Sequence, residues 1–210
     1  NPSIYPRGKL TYDEKADFIP ITGLVRINQA LLASKSLPVS DVKELIALAK
    51  QTPGELTFGT AGVGTSSYIA GEYFFKHLAK VEAIHVPYQG GAPAMNALMG
   101  NHVDANALTL PPAVPHINTG RLRGIAIASE RRLDAVKDVP TYAESGFPGF
   151  DMNDWNGLFA AAGTPPEAIA RMQKVCAEAI KDAKVREKLD AAGAVLVANS
   201  PADFKTWLDG

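Results

Sequence analysis

The stretch Leu56-Thr57-Phe58-Gly59-Thr60-Ala61-Gly62-Val63-Gly64-Thr65-Ser66-Ser67 reads as a short strand running into a turn rich in glycine and hydroxyl side chains. A helical pattern, Tyr68 to Leu78, follows at once. A turn of this kind leaves backbone N–H groups without helical partners and places them at the positive end of the helix dipole, which suits an anion. The arrangement recurs. Ala83-Ile84-His85-Val86-Pro87 reads as a strand, Tyr88-Gln89-Gly90-Gly91 as a turn and Ala92 to Met99 as a helix. Open α/β sheets gather ligands at the C-terminal ends of their strands, and both turns sit at such ends. The candidate contacts for a small acid are therefore Thr60, Ala61, Gly62, Val63, Gly64, Thr65 and Ser66 in the first turn, and Tyr88, Gln89, Gly90, Gly91 and Ala92 in the second.

Glycine and serine often serve only to turn and cap a chain. The first turn carries two glycines and four hydroxyl residues in eight positions, which is denser than turning alone requires. It is not a phosphate loop, because no Gly-Lys-[Ser/Thr] follows. It is not a dinucleotide fingerprint either, since Ser67 stands where a third glycine is needed.

Outward from these turns, strands alternate with helices. Residues 18–33 read as extended, and Ser40 can cap a helix bearing Val42, Leu45, Ile46 and Ala49. Gly100 suits a helix C′ position. Val103 to Leu110 and Leu122 to Ala128 read as further strands. The alternation predicts an α/β fold with a mostly parallel sheet. Residues 129–155 are loop-rich. Then come a short apolar strand over 157–162 and a helix opened by a capping box, Thr164-Pro165-Pro166-Glu167. A helix from Lys184 to Ala192, a strand from Val195 to Ala198 and a helix capped at Ser200 complete the chain.

The bulk properties exclude several classes. The formal net charge of −1 over 210 residues argues against a nucleic-acid partner. No apolar run reaches the roughly 18 residues of a membrane helix. The four histidines, His77, His85, His102 and His116, form no metal pattern and read as structural or solvated, so no metal is expected. Cys176 falls on the apolar side of a helix and reads as core. Ser145 lacks the frame of a nucleophile elbow. Trp155 reads equally as a core aromatic or as an apolar wall for a ligand. The start, Asn1-Pro2-Ser3-Ile4-Tyr5-Pro6, is turn-rich, with no initiator Met and no signal sequence, as if the chain were processed or cut from something longer.

The chain resembles the tripartite tricarboxylate transporter receptors, the Bug family of periplasmic solute-binding proteins. The resemblance is carried by Asn1-Pro2-Ser3-Ile4-Tyr5, by Leu37-Pro38-Val39-Ser40-Asp41-Val42-Lys43-Glu44-Leu45, by Gly62-Val63-Gly64-Thr65-Ser66 and by His85-Val86-Pro87-Tyr88-Gln89-Gly90-Gly91-Ala92-Pro93-Ala94. Further matches are Pro115-His116-Ile117, Asp138-Val139-Pro140-Thr141, Glu144-Ser145-Gly146-Phe147-Pro148-Gly149 and Gly157-Leu158-Phe159-Ala160. It implies a type II periplasmic-binding-protein fold, two α/β domains around a cleft, with residues 1–29 and 126–210 in one domain and 30–125 in the other. The first domain is expected to be incomplete, because the family's opening strand and Pro/Gly-rich ligand loop have no counterpart here. It further implies a periplasmic receptor in a Gram-negative bacterium. Such a receptor needs no cofactor; it binds a small organic acid, a di- or tricarboxylate or an aromatic acid, and hands it to membrane permease subunits. Relatives often carry Asp-Asn-Leu-Pro-Ser after the third strand, where this chain has Leu108-Thr109-Leu110-Pro111-Pro112. Leu108 and Thr109 therefore join the expected contacts, and Leu108 and Trp155 could face an apolar part of the ligand. The competing readings are a ligand-sensing domain of a LysR-type transcription regulator and an acyl-transfer hydrolase using Ser66 or Ser145. The hydrolase lacks a base at a defined spacing, so the chain is not expected to be an enzyme.

Overall fold

The computed structural model describes residues 11–209, so the turn-rich start lies outside the described residues. The chain forms two compact units. Ile27–Asp154 make one; the residues up to Arg26 and those from Trp155 onward make the other.

The first of these holds a five-stranded sheet. Its strands are β2 (Gln29–Ala33), β3 (Thr57–Thr60), β4 (Ile84–Pro87), β5 (Ala105–Thr109) and β6 (Arg123–Ile127), in the order β4-β3-β5-β2-β6. β3 runs parallel to β4 and to β5. β2 is antiparallel to both of its neighbours, so the sheet is less uniformly parallel than the alternating pattern predicts. The side-chain period along a strand is two in either orientation, and direction is decided by pairing alone. Every residue of β2 is buried. Leu31 and Ala33 enter one apolar cluster and Ala30 and Leu32 the other, so this strand feeds a core on each face of the sheet.

Helix α1 (Val42–Gln51) buries Val42, Leu45 and Ala49. Its cap is Asp41, one residue later than expected, whose carboxylate accepts from the Glu44 N–H. Ser40 instead donates its N–H and hydroxyl to the Glu44 carboxylate. Helix α2 (Ser66–Glu72) continues through a wider π-helical turn, Tyr73–Leu78. The Ala79 N–H reaches five residues back to the Phe74 carbonyl at 2.8 Å. Phe74 and Phe75 in this turn are buried. Helix α3 (Gly91–Met99) stops at Gly100, whose φ of −84° is not left-handed; Asn101 supplies the left-handed residue at φ 57°. A Cβ at position 100 would lie 2.9 Å from the exposed His102 ring, which would have to shift. Helix α4 (Val114–Asn118) leads into β6.

Residues 127–154 pack with this sheet rather than with the flanking segments where they were expected. Aromatic packing is the reason. Tyr142 and Phe147 approach the Phe74 ring at 5.2 and 5.4 Å, and Phe150 lies 4.0 Å from Tyr142. A backbone bridge also ties Thr141 to Ile127.

The second unit holds a three-stranded sheet of β1 (Phe18–Ile27), β7 (Asp154–Ala161) and β8 (Ala194–Leu196), in the order β7-β1-β8. Helices α5 (Pro166–Lys181), α6 (Ala183–Ala191) and α7 (Pro201–Asp209) accompany it. Proline opens α5 as expected, but Thr164 donates to the Ala161 carbonyl and caps nothing. Asp182 caps α6. Ser200 accepts from the Asp203 N–H ahead of α7 and donates to its carboxylate. Phe204 of α7 is wholly buried, with Trp155, Phe159 and Trp207 around it. Cys176 is half-buried beside the exposed Met172 and Val175 of α5, so it is not the core residue expected.

Truncating Phe74 to Ala is expected to cost about 3–5 kcal/mol in denaturant unfolding, because it empties the centre of the aromatic cluster. Val175→Ala, at a position 56% exposed, is expected to stay within about 0.5 kcal/mol of the parent.

Candidate functional site

The two glycine-rich turns lie side by side. Parallel pairing sets Thr60 opposite Pro87 at the ends of β3 and β4. The pairing then continues past both strands. The Tyr88 N–H donates to the Thr60 carbonyl at 3.1 Å, and the Gly90 N–H donates to the Ala61 carbonyl at 3.1 Å. Each turn is thus braced by the other.

Within the first turn, hydroxyl groups fix the backbone. Thr65 caps α2 by accepting from the Tyr68 N–H, and it donates to the Gly62 carbonyl at 2.7 Å. Ser67 Oγ accepts from the Ala61 N–H. Gly62 and Gly64 have φ of 121° and 85°, values that L side chains resist. Gly62 is also tightly placed, since a Cβ there would meet the Tyr88 carbonyl oxygen at 2.9 Å. Gly90 opens α3 at φ 116° with no side-chain cap.

What these bonds leave over defines the candidate site. The backbone N–H groups of Val63, Gly64, Ser66, Gln89, Gly91 and Ala92 have no hydrogen-bond acceptor among the described residues. They lie in the turns or in the first residues of α2 and α3, where a helix presents its positive end. Val63, at 62% exposed, marks the open side of the first turn. Neither turn contains an Asp or Glu between Thr60 and Ser67 or between Tyr88 and Ala92. Among the described residues no group of three or more His, Cys, Asp or Glu could hold a metal ion, and no helix is long and apolar enough to cross a membrane.

The remaining expected contacts separate. Thr109 ends β5 opposite Gln29. Leu108 is turned into the core with Ala94, Met95 and Leu98, because β5 lies inside the sheet and is covered on both faces. It cannot serve as a wall for a ligand. Trp155 belongs to the other compact unit, where it stays 37% exposed against Phe204 and Trp207. It lines a cavity of about 170 Å³ with Gly23, Asn199 and both of those rings.

Two residues at this site carry no signal in the turn motifs. Gln29, 2% exposed, donates from Nε2 to Ser66 Oγ at 3.2 Å, while its Oε1 is buried without a partner among the described residues. A buried polar atom left unpaired is unusual in a folded protein. The sequence signal was a polar pair, Asn28-Gln29, directly ahead of the apolar strand. His85, read as structural, has Nε2 2.7 Å from Thr60 Oγ1. Burial pulls its pKa below the ordinary histidine value; Glu72 works against that shift and Lys76 with it.

Gly62→Ala is expected to destabilise the protein by about 1–3 kcal/mol, from the left-handed backbone and the clash with Tyr88. Gly54→Ala, also at positive φ but facing open space, is expected to cost only about 1 kcal/mol. A pH effect follows from His85. The neutral ring favours the folded chain, so its contribution is complete above the unfolded value of about 6.5 and is lost as pH falls through the depressed folded value. Urea unfolding of His85→Gln is expected to show a shallower loss of stability on acidification than the parent.

Comparison with known proteins gives the family and the fold. The sequence profile described as "Tripartite tricarboxylate transporter family receptor" matches residues 1–208. Protein BugT of Bordetella pertussis (strain Tohama I) is 32% identical over 200 residues, covering 95% of this chain and 61% of that protein. A relative from Pseudomonas sp. (strain P51) is covered to 58% of its length, so the chain spans about six tenths of the curated relatives it matches. A solved structure of an R. palustris protein with adipate superposes with a TM-score of 0.91 at 30% identity, covering 99% of this chain and 69% of that one. MatC from Rhodopseudomonas palustris with bound malate gives 0.82 at 34% identity, covering 92% and 65%. The two-sheet α/β architecture is thus that of the periplasmic binding proteins. The chain belongs to the tripartite tricarboxylate transporter receptor family.

Proposed function

We propose that the paired turns hold one carboxylate of a small organic acid, and that the chain is part of an extracytoplasmic receptor that captures the acid for a tripartite tricarboxylate-type transporter. The observation that carries this reading is the set of unsatisfied N–H groups on two adjoining turns, with no acidic side chain among them. A hydrogen bond to a charged group is worth about 1.5–3 kcal/mol, so a few can orient a carboxylate without a salt bridge. The acids named for the similar structures, adipate and malate, are dicarboxylates of this kind. The family match supports transport over ligand sensing by a transcription regulator. In the cell the receptor works in the periplasm and delivers its ligand to membrane permease subunits, as its family description implies.

The ligand carries no ammonium group. A buried cation needs an acidic or carbonyl partner, and an unpaired one costs several kcal/mol, as an order of magnitude. The two turns offer no carboxylate to meet it.

Calorimetry with adipate, malate and their amide and amine analogues tests the reading. A dicarboxylate is expected to bind at least roughly tenfold more tightly than its diamide, the margin between charged and neutral hydrogen bonds. Equal binding of acid and amide, no binding of any acid, or preference for an amino acid over its deaminated analogue would overturn it.

A further inference from the structure

Thr60 is hydrogen-bonded to both turns. It ends β3 and is 0% exposed. Its carbonyl accepts from Tyr88 of the second turn, and its hydroxyl accepts from the Gly62 N–H of the first at 3.2 Å. The same hydroxyl lies 2.7 Å from His85 Nε2. His85 sits on β4 beside Phe58, with the Phe58 and Tyr68 rings 5.1 and 4.9 Å from its own.

A threonine hydroxyl has one proton and two lone pairs. With Nε2 bare and the ring proton on Nδ1, the Thr60 proton goes to the ring and the Gly62 N–H takes a lone pair, so the hydroxyl proton and the Gly62 N–H are both paired. With Nε2 protonated, the ring must donate instead. The hydroxyl proton then loses its acceptor among the described residues, at a position closed to water. Either Thr60 turns or the ring withdraws, and both loosen the hold on Gly62. Gly62 is the point where the turn is most constrained, by its φ of 121° and its contact with Tyr88.

We propose that His85 is a positioning residue for the carboxylate-binding turn, holding it in its ligand-ready shape through Thr60 only while Nε2 is bare. The inference rests on the carboxylate-binding reading for its functional consequence, though the coupling itself does not. The charged groups acting on the ring are Glu72, which favours protonation, and Lys76, which opposes it; they are paired with each other on the neighbouring helix. Burial is the larger influence and favours the neutral ring, which leaves Nε2 bare when its proton is on Nδ1.

The test is an NMR pH titration of the whole chain across the histidine range, about pH 8 to pH 5. The Gly62 amide resonance is expected to move with the midpoint of the His85 ring. In Thr60→Val the ring still titrates and Gly62 no longer follows it, whereas Thr60→Ser keeps the coupling. His85→Phe removes the acceptor at every pH and is expected to shift Gly62 in the direction that acid shifts it in the parent. His85→Gln, whose side-chain carbonyl can accept the hydroxyl, is expected to restore the neutral position. A Gly62 amide that ignores the ring and is the same in His85→Phe and His85→Gln overturns the proposal. With adipate or malate, whichever binds at about pH 8, affinity is expected to fall roughly tenfold as the ring protonates, the factor that one unpaired buried polar group is worth. In Thr60→Val the pH dependence is expected to flatten. Affinity that is unchanged or rises on acidification of the parent overturns the functional half. If neither acid binds, the Gly62 resonance still decides the coupling.

Discussion

The parallel pairing of β3 with β4 is the constraint on which the candidate site depends. It runs through Thr57, Phe58, Gly59 and Thr60 and then continues beyond the strands, from Tyr88 to Thr60 and from Gly90 to Ala61. These last two bonds convert two separate strand-to-helix turns into one surface. Neither turn could do this alone. A single helix N-terminus leaves orphan donors that water satisfies, but two such termini side by side concentrate donors that a carboxylate can share. The close approach also explains why glycine stands at position 62, where a Cβ would press on the facing carbonyl.

The rest of that unit keeps this pairing in place. Phe58 lies at 4.7 Å from Phe75, and Phe74 meets Tyr142, Phe147 and Phe150. The wider turn at Tyr73–Leu78 belongs to the same cluster, because two consecutive phenylalanines there are both buried. Gly71 contributes by its smallness, since a Cβ would meet the Phe58 ring at 2.8 Å. The aromatic packing that stabilises the sheet therefore lies directly behind the helix whose N-terminus faces the site. The buried polar groups Thr60, Asn106 and Gln29 lie along the same strands. Asn106 spends its amide on the Ala94 carbonyl of α3 at 2.8 Å, which ties the second helix to the sheet as Thr60 ties the turns.

Much of this was legible from residue order. Glycine and hydroxyl residues between an apolar strand and a helical pattern announce a turn of restricted geometry, and both turns lie where they were expected. The elements around them, from α1 to β6, also sit within a few residues of the expected spans. The matches that carried the family resemblance were local motifs, and local motifs survive in a bare sequence. Pattern is silent where a residue's role depends on what lies across from it. Leu108 was expected at the site because relatives often carry Asp there, yet β5 is covered on both faces and buries it. Residues 129–155 looked like a connecting segment, yet Tyr142, Phe147 and Phe150 bind most of it to the sheet. Cys176 fell on an apolar stripe, yet that stripe is half open.

The sequence by itself determined the alternating α/β composition, the two glycine-rich turns and the absence of acidic side chains within them, because those properties follow from residue type and spacing along the chain. Tertiary structure decided that the turns adjoin, that β2 runs against its neighbours, that Gln29 and His85 reach Ser66 and Thr60, and that Leu108 is buried in the core. Those outcomes join residues far apart in the chain, as when Thr60 meets His85, 25 positions on, or Ala30 pairs with Ile127, 97 positions on. Contacts of that span are selected by which strands pair and which faces they bury, and no local periodicity encodes that choice.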